Sequence, residues 1–112
     1  MEIKLNARLS AFTNVNLKTL APQNFTFFGT LTTNWDGEVA PFTQRVEVEG
    51  LLAKDDEQAI VDVVLSSDWN LAVAEDEQWA NVKKVVIENG AFVAYSETAI
   101  DIPLRVIIKV VR

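Results

Sequence analysis

The alternation of apolar and polar residues is the feature that most constrains how this chain can fold. Successive side chains of a β-strand point to opposite faces, so a period of two is typical of a strand with one buried face. The pattern runs through residues 3–11 and again through residues 100–110. Val, Ile and Thr, whose branched side chains favour strands, account for 30 of the 112 residues. We therefore predict an all-β chain.

Turn signals between the apolar stretches indicate how the strands are joined. Asp36-Gly37 predicts a hairpin that leads into a strand over residues 42–49, because glycine tolerates the positive φ of tight turns. Asn89-Gly90 favours a second hairpin, with strands over residues 82–88 and 92–95. The alternative is a helix, because Trp79, Val82 and Val86 recur at helical spacing and Gly90 could cap it. About seven or eight strands with short connections follow, a count typical of an antiparallel β-sandwich or a small barrel.

Two acidic runs add short helical turns to this all-β prediction. They are Asp55-Asp56-Glu57 and Glu75-Asp76-Glu77. Negative charge is favourable at the N-terminus of a helix, so we predict one turn near residues 55–60 and one near residues 75–80. Neither run has the alternating spacing and central glycine of a calcium loop, and both are interpreted as solvated charge.

Composition narrows the functional classes. The chain has no Cys, no His and a formal net charge of −6. These absences exclude disulfides, thiolate metal sites and the commonest general base, and four glycines form no phosphate-binding motif. Asp62 and Asp101 interrupt apolar strands and are the carboxylates that could be partly buried, as acid–base catalysis would require. We predict a single domain over residues 1–112 that is not an enzyme and needs no cofactor or metal.

The beginning of the chain bears on its location. Residues 1–9 alternate in polarity and do not form the charged start and apolar stretch of a secretory signal. No stretch reaches the length of about 18 apolar residues that a membrane helix needs. We expect a cytoplasmic or virion-associated protein that does not enter a membrane.

An internal similarity links two segments at an offset of 34 residues. Residues 31–40 (LTTNWDGEVA) align without gaps on residues 65–74 (LSSDWNLAVA), with Leu, Trp, Val and Ala identical. The sequence analysis leaves two interpretations open, a duplicated strand–turn–strand unit and a chance likeness of two strand ends. A duplication predicts that residues 25–48 and 59–82 superpose and that Trp35 and Trp69 occupy equivalent places.

The two tryptophans of this repeat are candidates for carbohydrate binding. Each is flanked by an amide and a carboxylate, and an aromatic ring with such neighbours can stack on a sugar and satisfy its hydroxyl groups. The alternative is structural, in which each ring closes one end of the core. The candidate ligand-binding residues are Asn34, Trp35, Asp36, Asp68, Trp69 and Asn70.

Single-stranded nucleic acid is a further alternative, since small β-barrels bind it with aromatic and basic side chains. The candidate aromatic and guanidinium groups are Phe25, Phe27, Phe28, Phe42 and Arg45, and a basic stripe would consist of Lys4, Arg8, Lys83 and Lys84. The net charge of −6 opposes this function. Nucleic acid is therefore not the expected partner.

The last predicted strand carries apolar residues on both faces. Ile107 and Val111 interrupt the face that also holds Arg105 and Lys109, while Pro103 must mark a strand beginning, a bulge or an edge. A second protein chain covering Ile107 and Val111 would resolve this excess of apolar surface. We predict a protein–protein interaction or assembly module, such as a viral structural subunit, an adaptor or an inhibitor, that forms a homo-oligomer or larger assembly.

Overall fold

The computed structural model describes residues 23–112, which form six strands and two helical segments. The elements are β1 (Asn24–Leu31), β2 (Phe42–Glu47), a 3₁₀-helix (Ala53–Gln58), β3 (Ile60–Val64), α1 (Trp69–Trp79), β4 (Val82–Glu88), β5 (Ala91–Ser96) and β6 (Leu104–Val111). The all-β class is confirmed. The strand predicted over residues 3–11 lies outside the described residues.

The strands form two antiparallel sheets of three strands each. Sheet A has the order β1-β6-β3, and sheet B has the order β2-β5-β4. The connections β1–β2 and β3–β4 both pass from an edge of sheet A to an edge of sheet B. The described residues thus form two open sheets and not a closed barrel.

The inner faces of the two sheets enclose one core. On β6 the inward residues alternate with outward ones, and the inward ones are completely buried. Gly29 of β1 lies so close to sheet B that an added Cβ would be 2.8 Å from Cε2 of Phe92. The sheets therefore meet face to face. The buried core residues are Leu31, Val48, Leu51, Ile87, Phe92, Ala94, Ile100, Leu104, Val106, Ile108 and Val110.

The hairpin predicted at Asn89-Gly90 is present. β4 and β5 pair along their length, from Glu88 opposite Ala91 to Val82 opposite Ser96. Gly90 has a φ of 77°, in the left-handed region that this turn requires. Local residue preferences are enough to specify this hairpin.

The hairpin predicted at Asp36-Gly37 is wrong, because β1 and β2 belong to different sheets. The chain does reverse there: the backbone N–H of Asp36 donates to the carbonyl of Thr43 at 2.8 Å, and that of Thr43 donates back at 3.0 Å. This single bridge is the whole of the pairing. A turn signal indicates a local reversal, whereas the partner of β2 is set by packing against β5.

Helix α1 is longer than the single turn predicted near residues 75–80, because it begins at Trp69 and has 11 residues. Its N-cap is Asp68, whose carboxylate accepts a hydrogen bond from the N–H of Leu71 at 2.9 Å. The predicted turn is the last part of this helix. The other predicted turn corresponds to the 3₁₀-helix.

The offset of 34 residues found in the sequence recurs in the pairing of sheet A. Thr26 and Ile60 both lie opposite Lys109, and Thr30 and Val64 both lie opposite Arg105. β1 and β3 are therefore related across β6 by the same offset. The likeness ends after the strands, because α1 occupies the second connection while the first has no helix. Residues 59–82 are thus a strand–helix–strand unit and not the predicted strand–turn–strand unit.

β6 is the central strand of sheet A, paired with β1 on one side and β3 on the other. It begins at Leu104, directly after Pro103, so the missing N–H of proline marks the strand beginning. The edge position considered from the sequence is therefore wrong. Both backbone edges of β6 are paired within the chain, and its outward residues are half-buried or exposed in the described part of the structure.

Candidate functional site

The outer face of sheet A brings together the residues that the sequence predicted for an interface. Directly opposed residues of paired strands point to the same face. Ile107 lies between Phe28 and Asp62, and Lys109 lies between Thr26 and Ile60. Together with Thr30, Val64, Arg105 and Val111, these residues make up the surface that we call the outer face of sheet A.

Several apolar side chains of this face are exposed. The exposed fraction is 64% for Phe28, 68% for Ile60 and 41% for Val111, while Ile107 between them is half-buried. Large apolar groups in neighbouring positions are unusual on the surface of a monomer and mark contact sites. The sequence analysis identified Ile107 and Val111 for an interface, did not identify Ile60, and considered Phe28 only for nucleic-acid binding. The place of Phe28 and Ile60 on this face depends on the register of β1 and β3 against β6.

The outer face of sheet B has a different character. Arg45 donates to Glu88 of β4 at 3.3 Å and to Glu47 of its own strand at 3.3 Å. The ammonium group of Lys84 lies 5.6 Å from the centre of the Tyr95 ring. Charged side chains therefore cover this face, and the two outer surfaces of the sandwich are not equivalent.

A second exposed apolar surface lies at α1. The ring of Trp69, the first residue of the helix, is 78% exposed. It borders an open groove of about 340 Å³, which we call the α1 groove. Its lining consists of Leu65, Trp69, Ala72, Val73, Asp76 and Glu77.

Trp35 and Trp69 do not occupy equivalent places, which corrects the expectation from the repeat. Trp35 is half-buried in the β1–β2 connection and packs against the core. Its indole Nε1 is buried and has no hydrogen-bond partner among the described residues. Trp35 thus has the structural role considered from the sequence, and Trp69 presents its ring to solvent.

The polar neighbours of the two tryptophans are also separated. Asn34 and Asp36 line a groove of about 500 Å³ between β1 and β2, whereas Asp68 caps α1 and Asn70 lies exposed on its first turn. The six candidate sugar-binding residues therefore do not form one site. The structure divides them among a packed ring, a polar groove and the start of a helix.

Gln44 holds the polar groove in shape. Its side chain is buried, and its Oε1 accepts from the N–H of Thr32 at 2.7 Å. Its Nε2 donates to the carbonyls of Thr32 and Asn34, each at 3.0 Å. The amide thus fastens the β1–β2 connection to β2.

The interpretation of both acidic runs as solvated charge is wrong for one residue of each, because Asp55 and Glu75 are buried. Asp55 accepts from Arg112 and from the N–H of Leu52, and its hydrogen bonds with the Arg112 guanidinium hold the pKa of that carboxyl below its usual range. Glu75 accepts from the N–H and the hydroxyl of Ser66, at 2.8 and 2.9 Å. Asp55 stands three residues after Leu52, which is a capping spacing that can be seen in the sequence. The contacts of Asp55 with Arg112 and of Glu75 with Ser66 depend on the fold.

The other candidate chemistries are not assembled in the described part of the chain. Asp62 and Asp101 are exposed, and residues 23–112 contain no group of three carboxylates placed to hold a metal ion. Phe25 and Phe27 pack against the core, as the alternation indicated. Lys83 lies 4.0 Å from Glu97, and the remaining stripe residues, Lys4 and Arg8, lie outside the described range.

No helix within residues 23–112 is long and apolar enough to cross a membrane. In comparisons with known proteins, the chain matches no family model, no curated protein and no solved structure.

Proposed function

We propose that this protein is a non-enzymatic assembly module whose outer face of sheet A binds a second copy of the chain. The observation that carries the proposal is the exposure of Phe28 and Ile60 on either side of the central strand. Burying one such side chain contributes about 1.5–3 kcal/mol. A contact that covered Phe28, Ile60 and Val111 would therefore have a substantial hydrophobic driving force.

The charges on this face support a second copy as the partner. Arg105 and Lys109 lie on the central strand, and Asp62 lies on the neighbouring edge strand. A twofold contact places the same surface on both sides, so a face with both signs of charge can be complementary to itself. The cations of one copy would then meet Asp62 of the other.

The two buried carboxylates of the described range are used within the fold. Asp55 forms an ion pair with Arg112. Buried Glu75 is likewise used by Ser66. Both carboxylates are therefore used in hydrogen bonds that support the fold.

Molar mass measured by light scattering over a range of protein concentrations tests the proposal. We expect the wild-type chain to exceed the mass of a monomer at micromolar concentration. Phe28→Lys and Ile60→Lys should shift the protein towards the monomer, because each places an ammonium group in the contact. Both side chains are exposed, so the fold itself should tolerate the changes.

Val39→Lys is the matched control. Val39 is 76% exposed but lies in the β1–β2 connection, away from sheet A's outer face. Its substitution should leave the molar mass unchanged. A wild-type protein that stays monomeric at every concentration, or a control as disruptive as Phe28→Lys, would contradict the proposal.

A further inference from the structure

We propose that the α1 groove binds a cationic segment of a partner protein, one that presents Arg or Lys beside an aliphatic side chain. This inference rests on the proposed protein-contact function and names the chemistry of a partner at a second surface. It is carried by two properties of the groove, its apolar lining and two carboxylates that have no ion-pair partner within residues 23–112.

The apolar part of the groove suits an aliphatic anchor. Leu65, Ala72 and Val73 contribute aliphatic surface, and the exposed Trp69 ring forms one border. Tryptophan is enriched among the residues that dominate protein contacts, since it has a large surface and few rotatable bonds. An exposed Trp beside aliphatic groups is therefore a suitable docking point for a short apolar side chain.

The charge of the groove determines the sign of the partner. Asp76 and Glu77 stand in the last turn of α1, which contains no basic residue. The C-terminal end of a helix carries partial negative charge from its free carbonyls, so carboxylates are unfavourable there and cations are favourable. A basic segment in the groove would compensate both the side chains and the helix end.

The surrounding sequence supplies no such compensation. Between Lys54 and Lys83 the chain carries eight Asp and Glu residues and no Lys or Arg. Asp68 caps the helix and Glu75 binds Ser66, whereas Asp76 and Glu77 have no ion-pair partner within residues 23–112. The two carboxylates in the groove are the ones that remain available to a partner.

The tryptophan adds a preference for Arg. Trp69 stands at the start of α1, and Asp76 and Glu77 stand in its last turn. One Arg of a bound segment can lie against the Trp69 ring while another reaches the carboxylates, and Trp is the strongest aromatic partner of a cation. A segment that combines Arg with aliphatic residues would thus use the ring, the carboxylates and the apolar lining together. An acidic or purely polar segment could not make this full set of contacts with the ring, the carboxylates and the apolar lining.

Fluorescence anisotropy with three labelled synthetic peptides tests the inference. The first peptide alternates Arg and Leu, the second replaces Arg with Glu, and the third replaces Leu with Ser. We expect the Arg–Leu peptide to bind more tightly than both others, with an affinity that falls as salt is raised. Equal binding of the Arg–Ser peptide would reduce the interaction to general charge attraction and overturn the proposal.

Variants of the chain locate the binding. Trp69→Ala should weaken binding of the Arg–Leu peptide by about tenfold or more. The double change Asp76→Asn with Glu77→Gln should weaken binding and remove most of its salt dependence. Val39→Lys lies outside the groove and should bind the peptide as the wild-type chain does.

The two proposals can fail separately. Peptide binding that depends on Trp69 in a protein that never dimerises would contradict the assembly proposal and support this one. A dimer that depends on Phe28, with no peptide binding, would do the reverse. Saturable binding of oligosaccharides that is lost in Trp69→Ala, without peptide binding, would assign the groove to carbohydrate and overturn the inference.

Discussion

Arg112 donates hydrogen bonds to both carboxylate oxygens of Asp55, at 2.7 and 3.0 Å. The same guanidinium donates to the carbonyl of Gly50 at 2.7 Å and lies 4.7 Å from the centre of the Phe25 ring. Asp55 is almost fully buried, and Arg112 is partly buried. This pair connects the 3₁₀-helix to the end of β6 in sheet A. Removing one partner would leave the charge of the other without compensation in a partly or fully buried site.

The first prediction concerns the pH dependence of stability. Since hydrogen bonds with Arg112 lower the pKa of Asp55, the unfolded chain binds a proton at this site more readily than the folded one. The contribution of the pair is therefore present above the ordinary carboxyl pKa of about 3.9 and is lost as the pH falls through the lowered folded value. Urea unfolding as a function of pH should show this loss in the wild-type protein.

Asp55→Asn is the variant that isolates the effect. At pH 7 this variant should unfold at a lower urea concentration than the wild-type chain. The difference between the two midpoints should become smaller at acidic pH. A matched change at exposed Asp101, Asp101→Asn, should cause a much smaller difference. The difference in urea stability between the wild-type chain and Asp55→Asn could instead stay constant from neutral to acidic pH. That result would show that the Arg112 ion pair contributes nothing to stability.

The second prediction concerns the amide of Gln44. Gln44→Glu removes the two donors to the carbonyls of Thr32 and Asn34 and directs a negative charge at them. We expect a loss of about 1–3 kcal/mol in the free energy of unfolding, the usual cost of unsatisfied buried groups. Gln58→Glu makes the same chemical change at an exposed position and should cost no more than about 0.5 kcal/mol. Equal losses in chemical denaturation would contradict the assigned role of Gln44.

The third prediction separates the two tryptophans of the repeat. Trp35 packs against the core, so Trp35→Ala should lower the free energy of unfolding by about 3 kcal/mol. Trp69 is exposed, so Trp69→Ala should change it by no more than about 0.5 kcal/mol. Thermal and urea unfolding of the two variants provide the measurement. A destabilisation by Trp69→Ala as large as that by Trp35→Ala would place both rings in the core.

Local signals in the sequence account for the elements that were predicted correctly. Asn89-Gly90 forms a tight turn whose two strands are neighbours in the chain, and Pro103 marks the start of β6 because proline cannot donate to a ladder. The inward residues of β6 were likewise visible in the alternation. In each case the information lies within a few residues of the element itself.

The features that were not predicted depend on contacts distant in sequence. Asp36-Gly37 looks like a hairpin signal, but β2 pairs with β5, about fifty residues further along the chain. The exposed face formed by Phe28, Ile107 and Ile60 arises from the register of three strands. A sequence pattern of period two predicts which residues share a face of one strand, and it does not predict the neighbours of that strand.

The length of helix α1 was underestimated because of the sequence around its start. A β-branched stretch precedes it, and the likeness of residues 65–74 to residues 31–40 suggested a second turn. The helix is stabilised at its start by the Asp68 cap and at its base by the hydrogen bonds between Glu75 and Ser66. The first is a local signal that the sequence contains, and the second depends on the chain folding back on itself.

The central claim, that sheet A's outer face is a contact surface between copies, can be tested with single cysteines, because the chain has none of its own. Thr26→Cys places a thiol on this face, opposite Lys109, and Thr33→Cys places one on the exposed β1–β2 connection. The rate of thiol alkylation is measured as the protein concentration rises from micromolar upwards. The account predicts that alkylation slows for Thr26→Cys and stays constant for Thr33→Cys, whereas rates for Thr26→Cys that do not change with concentration would contradict it.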